Sequence, residues 1–221
     1  MLTLHRAALL VPDPADPAAP SITDGAVLVD GARVAALGPY RELADRGARV
    51  REWGGLLLPG LRNPFGQRLL ERAYHPDPRE ELGAEPLLLE VDPDRRGGSA
   101  RRGLQRMLAY GTTAVAGPFE LPVVRTAVAR SGLTALPGVA LPGAELPGAE
   151  LPGAELPGDG PARLDPLAVG TPGEMVHRAL TVGAAADFAV FDAPSVEALA
   201  RAGAGCCLAT VLGGRLLYRR R

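Results

Sequence analysis

Gly54-Gly-Leu-Leu-Leu-Pro-Gly-Leu-Arg-Asn63 is the stretch on which the fold turns. Val50–Leu58 is an apolar run of strand character that stops at Pro59-Gly60, where proline removes a backbone donor and glycine permits a change of direction. On its N-terminal side the signals are again those of strands. Leu2–Val11 is apolar and breaks at Pro12, Pro14, Pro17 and Pro20. Ala26–Asp30 and Arg33–Leu37 alternate in polarity and are joined at Asp30-Gly31, a strong hairpin signal. Pro39–Arg46 reads as one short helix.

On the C-terminal side the rhythm changes to alternating strand and helix. Ser99 is positioned to cap a helix over Ala100–Tyr110, with Leu104, Met107 and Leu108 on one face and Gly111 as its end. Thr112–Ala116 reads as a buried strand, Leu121–Ser131 as a helix and Leu133–Leu136 as a short strand. Further on, Leu167–Gly170 is expected as a strand and Glu174–Leu180 as a helix. The end is β-rich once more: Asp187–Phe191, Cys206–Leu212, a tight turn at Gly213-Gly214, and Arg215–Tyr218. Strand-rich ends therefore flank a βα middle.

A pentapeptide repeat interrupts that middle. Leu136-Pro-Gly-Val-Ala is followed by three copies of Leu-Pro-Gly-Ala-Glu from Leu141, and then by Leu156-Pro-Gly-Asp-Gly. Proline in every copy stops both helix and sheet, so residues 136–161 read as a turn-rich or polyproline-like linker whose acids, Glu145, Glu150 and Glu155, recur in phase.

Composition narrows the function. The chain has 221 residues, 47% of them hydrophobic, and a formal net charge of −1. That supports a real core and gives no electrostatic case for nucleic acid or a membrane as partner. No apolar run approaches the roughly 20 residues of a membrane span, and the first residues carry no legible secretory signal. A cytoplasmic location is the expectation. All 24 basic residues are Arg. A lysine Schiff base, a carbamylated lysine and a phosphate-loop lysine are thereby excluded. Cys206 and Cys207 are adjacent. Consecutive Cα atoms lie about 3.8 Å apart, below the usual disulfide span of about 4.4–6.8 Å. Both are read as free, small apolar residues of a strand, one side buried.

Few residues suggest chemistry. The three histidines, His5, His75 and His177, fall in a first strand, a Pro-rich loop and an expected helix, with no ligand spacing between any two. His75 with Asp77 is the nearest to a pair, and two loop ligands do not make a closed metal site. Ser99, Ser131 and Ser195 lack the Gly-x-Ser-x-Gly elbow of a nucleophile. Glu80, Glu81, Glu85 and Glu90 read as a solvated surface, and Arg95-Arg96 with Arg101-Arg102 as a surface ion-pair network rather than an anion site.

The two ends of the chain resemble the composite β-sandwich domain of the amidohydrolase superfamily, with imidazolonepropionases and aminofutalosine deaminases as the nearest members. The resemblance rests on Ile22–Gly38, Gly54–Asn63, Val182–Asp192 and Val211–Tyr218, and more loosely on Gly103–Val115. It implies a fold in which both termini build one small sandwich beside a metal-bearing (β/α)8 barrel. In active relatives a His-x-His pair follows the Pro-Gly-Leu-x-Asn run and holds a divalent ion that lowers the pKa of water. Here that stretch reads Asn63-Pro-Phe-Gly-Gln67, so Phe65 and Gln67 stand where the imidazoles would be. The aspartate that the family places at its last barrel strand would fall on Pro172. Between Pro59 and Gly183 there are about 125 residues, whereas a closed barrel takes about 250.

The resulting expectation is an α/β chain in three parts. Residues 1–58 plus 184–221 form the composite β-sandwich, 59–135 and 162–183 an incomplete (β/α) barrel of about four units, and 136–161 the repeat linker. No residue is assigned as catalytic, cofactor-binding or metal-ligating, and no cofactor is expected, although the family would use a divalent metal such as zinc or iron. The expected function is that of a degenerate amidohydrolase-like protein, a non-catalytic binding or partner subunit. A homodimer or a protein partner would cover the open barrel edge. The alternatives are a hydrolase acting on carbon–nitrogen bonds other than peptide bonds, in a cyclic amide or aminopurine-type substrate, and a decaying gene product with little function.

Overall fold

The computed structural model describes residues 2–83, 85–89, 91–138 and 162–220. The N-terminal strands are β1 (Leu2–Leu10), β2 (Ile22–Asp30), β3 (Arg33–Pro39) and β4 (Arg49–Pro59), with a one-turn helix α1 (Tyr40–Leu43) before β4. The C-terminal ones are β8 (Phe188–Phe191), β9 (Cys207–Leu212) and β10 (Arg215–Arg219). All belong to one mixed sheet of order β10-β9-β8-β4-β1-β2-β3, so strands from both ends of the chain share a sheet. β2 and β3 pair antiparallel with Asp30 opposite Arg33, the hairpin expected at Asp30-Gly31. β1 pairs antiparallel with β2 and parallel with β4, and β4 takes β8 antiparallel on its other side.

Leu56, Leu57 and Leu58 of β4 are all fully buried. Successive strand residues face opposite ways, so three in a row require cover on both faces. Leu57 packs with Val27, Val34, Phe188 and Val190 on one side, while Leu56 and Leu58 pack with Leu61, Met175, Phe191 and Leu199 on the other. The sheet curls until its β3 edge meets the segment that enters β8. Val34 N–H donates to the carbonyl of Ala184 at 2.9 Å, and Gly183 and Ala186 N–H donate to Val34 and Ala32 at 2.8 Å. That edge is closed by the chain itself.

The second layer is parallel: β5 (Leu61–Asn63), β6 (Thr112–Ala116) and β7 (Thr134–Leu136), in that order, with α2 (Pro93–Leu108) and α3 (Pro122–Ser131) as crossovers. The chain passes from β4 into β5 across Gly60. A Cβ there would lie 2.0 Å from Thr113 Oγ1 and 2.2 Å from its Cγ2. Only glycine lets β5 approach β6 this closely. Leu61 N–H donates to the Gly111 carbonyl, and Thr210 Oγ1 of β9 donates to the Leu108 carbonyl at 2.6 Å, which docks the end of α2 on the large sheet.

Three expected elements differ, and one helix is additional. The helix expected from Ala100 begins at Pro93, because Asp92 caps it by accepting from Asp94 N–H and Pro93 fits its first turn. Ser99 is buried inside that helix, and its hydroxyl accepts from His75 N–H at 2.9 Å. Leu167–Gly170 is not a strand; Pro166–Ala168 is a 3₁₀ turn capped by Asp165. The helix expected over Glu174–Leu180 is a single turn, α4 (Pro172–Met175), which ends when Val176 bridges to Leu61. The additional helix, α5 (Val196–Ala202), is capped by Ser195, whose Oγ accepts from Ala198 N–H. Of the linker expected over 136–161, residues 139–161 lie outside the described residues, as do Glu145, Glu150 and Glu155.

Gly60→Ala is expected to lower the unfolding free energy by about 1–3 kcal/mol through overpacking. Adding Thr113→Ala, which removes Oγ1 and Cγ2 from the contact, recovers part of the loss. Urea unfolding of the single and double variants reads the coupling.

Candidate functional site

β5, β6 and β7 run parallel, so their C-terminal ends share one side of the small sheet, a mouth at which the resemblance implies a metal site. Asn63 closes β5 there and is fully buried. Its Nδ2 donates to the carbonyls of Arg163 (3.1 Å) and Leu164 (3.0 Å), and its Oδ1 accepts from Phe65 N–H (2.8 Å). Both amide protons and the carbonyl are engaged, which draws residues 163–164 to the end of β5. Phe65 is 7% exposed and belongs to a core with Leu69, Leu70, Leu104, Val115 and Leu164. Phe119 and Val169 pack on the same cluster. Gln67 is half-buried at the start of a π-helical turn over Arg68–Arg72.

The donor set at this mouth does not fit a divalent ion. A site needs three or four nitrogen, oxygen or sulfur ligands. Phe65 offers none, Asn63 has spent its own, and a lone Gln67 carboxamide remains. Among the described residues no three His, Cys, Asp or Glu side chains lie together in a way that could hold a metal. Pro172, where the family's last aspartate would fall, is the buried first residue of α4 beside the cap formed by Thr171.

The histidines are held apart in separate environments. His5 lies inside the large sheet, its Nδ1 accepting from Trp53 Nε1–H at 3.3 Å and its ring meeting Phe188 edge-on at 4.9 Å. Burial, with the charge of Arg51 second, pushes its pKa down to about 4. His75 is fully buried against α2. Its Nε2 lies 2.8 Å from the Leu69 carbonyl, which can only accept, so that nitrogen carries the proton. Burial lowers His75 to about 4 as well, opposed in part by that hydrogen bond. His177 follows α4 in a bend, and burial lowers its pKa too. Asp77 does not join His75; it caps the turn Pro78–Glu80 and lies 3.6 Å from Arg102.

The arginines of α2 bind a loop, as an ion-pair network would. Arg95 contacts Glu80 and the Tyr74 hydroxyl, and that hydroxyl donates to Glu80. Arg96 donates to the Ala73 carbonyl (3.2 Å), Arg102 to that of His75 (2.8 Å) and Arg106 to that of Pro76 (2.9 Å). The Tyr74 hydrogen bond, foremost, holds the Glu80 carboxyl below its ordinary range. Arg101 stands apart and takes no part in this clamp. The serines and cysteines are structural. Ser131 Oγ donates to the Val128 carbonyl, Cys207 is buried with its thiol pushed up to about 11, and Cys206 is half-buried.

What the sequence reading missed is a groove of about 440 Å³ between α2, α3 and β10, lined by Leu104, Leu108, Leu133 and Leu217 with Arg101 and Arg130. The signal was present in the apolar face Leu104–Leu108 of α2, but β10 meets it only through the fold.

No family model matches the sequence, and no curated protein matches it. Solved structures do. An adenosine deaminase from Xanthomonas campestris with bound zinc is 24% identical, covering 61% of this chain and 33% of that one at a TM-score of 0.43. A guanine deaminase from Bradyrhizobium japonicum is 19% identical over 62% and 34%, with the same TM-score. An aminofutalosine deaminase from Helicobacter pylori is 17% identical over 62% and 33%, at 0.41. The chain thus spans about a third of the length of the structures it is similar to.

His5 and His75 set a pH dependence. Each imidazole ionises near 6.5 when unfolded and near 4 when folded. As the pH falls, protons bind the unfolded chain first. Their contribution to stability is therefore complete above about 6.5 and lost by about 4, on the order of 3 kcal/mol for each. The urea midpoint should fall between pH 6.5 and 5, ahead of most carboxylates, and His5→Phe should make that slope shallower by the share of one imidazole, with His75 and His177 supplying the rest.

Proposed function

We propose that this chain is a non-catalytic, amidohydrolase-like binding protein. The observation that carries the reading is the state of the strand mouth: Asn63 is consumed by the carbonyls of Arg163 and Leu164, and Phe65 fills the ligand position with hydrocarbon. Without an ion to lower the pKa of water, the hydrolytic nucleophile of the family has no source here. The role left to the scaffold is binding, by a protein partner or a second copy at the outer edge of β7, for which the described residues supply no strand partner. No helix among the described residues is long and apolar enough to cross a membrane.

A second reading, a hydrolase of carbon–nitrogen bonds, is favoured by the blocks Ile22–Gly38 and Val182–Asp192, which keep a sheet built from both ends of the chain. It requires ligands from outside the mouth. Metal content of the full chain, purified from medium supplemented with zinc, iron and manganese, separates the two. Well below one ion per chain, with no deamination of adenosine, guanine or an aminofutalosine-type substrate, is the expected result. A tightly held ion together with turnover would overturn it. A cooperative melt would also set aside the third alternative, a decaying product without a folded core.

A further inference from the structure

Three arginines, two from β4 and one from the last strand, gather on one face of the large sheet without a matching acid. Arg49, Arg51 and Trp53 alternate along β4, so their side chains leave the same face. In the parallel register with β1 they stand beside Thr3, His5 and Ala7. Arg219 of β10 reaches the same place, its guanidinium carbon 5.7 Å from the centre of the Trp53 ring. None of the three arginines has a carboxylate partner among the described residues. Glu52, which lies between them in sequence, leaves the opposite face and pairs with Arg6, which also binds Asp24.

The cluster also holds donors that lack acceptors. Arg51 Nε is buried with no hydrogen-bond partner among the described residues. His5 is 1% exposed, and its Nδ1 accepts from Trp53, so Nε2 carries the proton. That N–H meets no acceptor among the described residues either. Burial, followed by the charges of Arg49 and Arg219, pushes the Arg51 guanidinium below its ordinary value. A guanidinium does not shed its proton, so the repulsion and the unpaired donor persist until an anion answers them.

We propose that Arg49, Arg51 and Arg219 form a binding site for a small tetrahedral oxyanion of the phosphate class. Arg49 and Arg51 are two residues apart on a strand, roughly 6.6 Å. One such ion spans that gap with a charge-assisted hydrogen bond of about 2.8 Å on each side. Planar guanidinium forks match its paired oxygens, which a halide cannot offer. With a net charge of −1 the chain favours a small ion here over a polyanionic surface. The site shares no residue with the mouth at Asn63, so it stands whether or not the chain turns over a substrate.

Trp53 is the only tryptophan of the chain, so its fluorescence reads this site in the full-length protein. Inorganic phosphate, titrated at constant ionic strength, is expected to change that emission to a plateau and to raise the melting temperature. Sodium chloride alone should do neither. Arg49→Gln, at an exposed position, and Arg51→Gln should each raise the half-saturating concentration about tenfold. In phosphate-free buffer Arg51→Gln should melt no lower than the unmodified chain, because it removes one of three crowded cations. Glycerol phosphate run in parallel separates two sources: tighter binding than inorganic phosphate marks a phosphate monoester as the ligand, and weaker binding marks the free ion. The absence of a plateau in the unmodified chain overturns the proposal. So does an unchanged half-saturation in Arg49→Gln, or an Arg51→Gln melt well below that of the unmodified chain, which would make that guanidinium a structural element.

Discussion

The passage of a single stretch, Gly54–Asn63, from one sheet into another is the constraint on which the architecture rests. At one end, a Cβ on Gly55 would lie 2.1 Å from the Phe191 carbonyl oxygen, so β4 and β8 approach through bare backbone. At the other, Gly60 presses against Thr113. Between them the buried leucines of β4 bind core on both faces. Gly60 N–H donates to the Asp187 carbonyl at 3.1 Å, and the Asp187 side chain accepts from Gly213 N–H at 2.6 Å while pairing with Arg178. One short run of sequence thereby fixes the β8 strand, the last hairpin and the start of the parallel layer.

That same run ends in the residue that decides the mouth. In a metal site, side chains at strand ends keep lone pairs free for an ion and use the second shell to orient them. Asn63 does the reverse: every polar atom of its side chain is spent on the chain itself, and the segment it recruits brings Leu164 onto Phe65. The ionisable groups follow the same pattern. His5 and His75 are kept neutral by burial, and the arginines of α2 hold a loop in place. The buried imidazoles and the arginines of α2 contribute packing and hold neighbouring chain in place.

The parts of the fold that were legible in the sequence were local ones. Asp30-Gly31 and Gly213-Gly214 announce their hairpins by turn chemistry alone, and the βα rhythm through Thr112 and Leu121 survives because each element is amphipathic in its own period. Ser99 misled because a hydroxyl before an apolar face resembles a cap, while Gly97-Gly98 concealed the true start at Asp92-Pro93. Its actual partner, the His75 amide, lies 24 residues away. The 3₁₀ turn at Pro166 and the early stop of α4 are set by Asp165 and by the bridge from Val176 to Leu61, neither visible to a local pattern. At the mouth, Phe65 and Gln67 were legible as residue types. The locking of Asn63 was not, since its acceptors stand about 100 residues further along the chain.

The most direct measurement is anomalous scattering from crystals of the full chain soaked in zinc, read at the mouth formed by Asn63, Phe65 and Gln67. The expected map is featureless there, with the Asn63 amide still bonded to the carbonyls of Arg163 and Leu164. A peak within bonding distance of Gln67, with Asn63 turned away from those carbonyls, would contradict the reading of this mouth as hydrocarbon and spent hydrogen bonds.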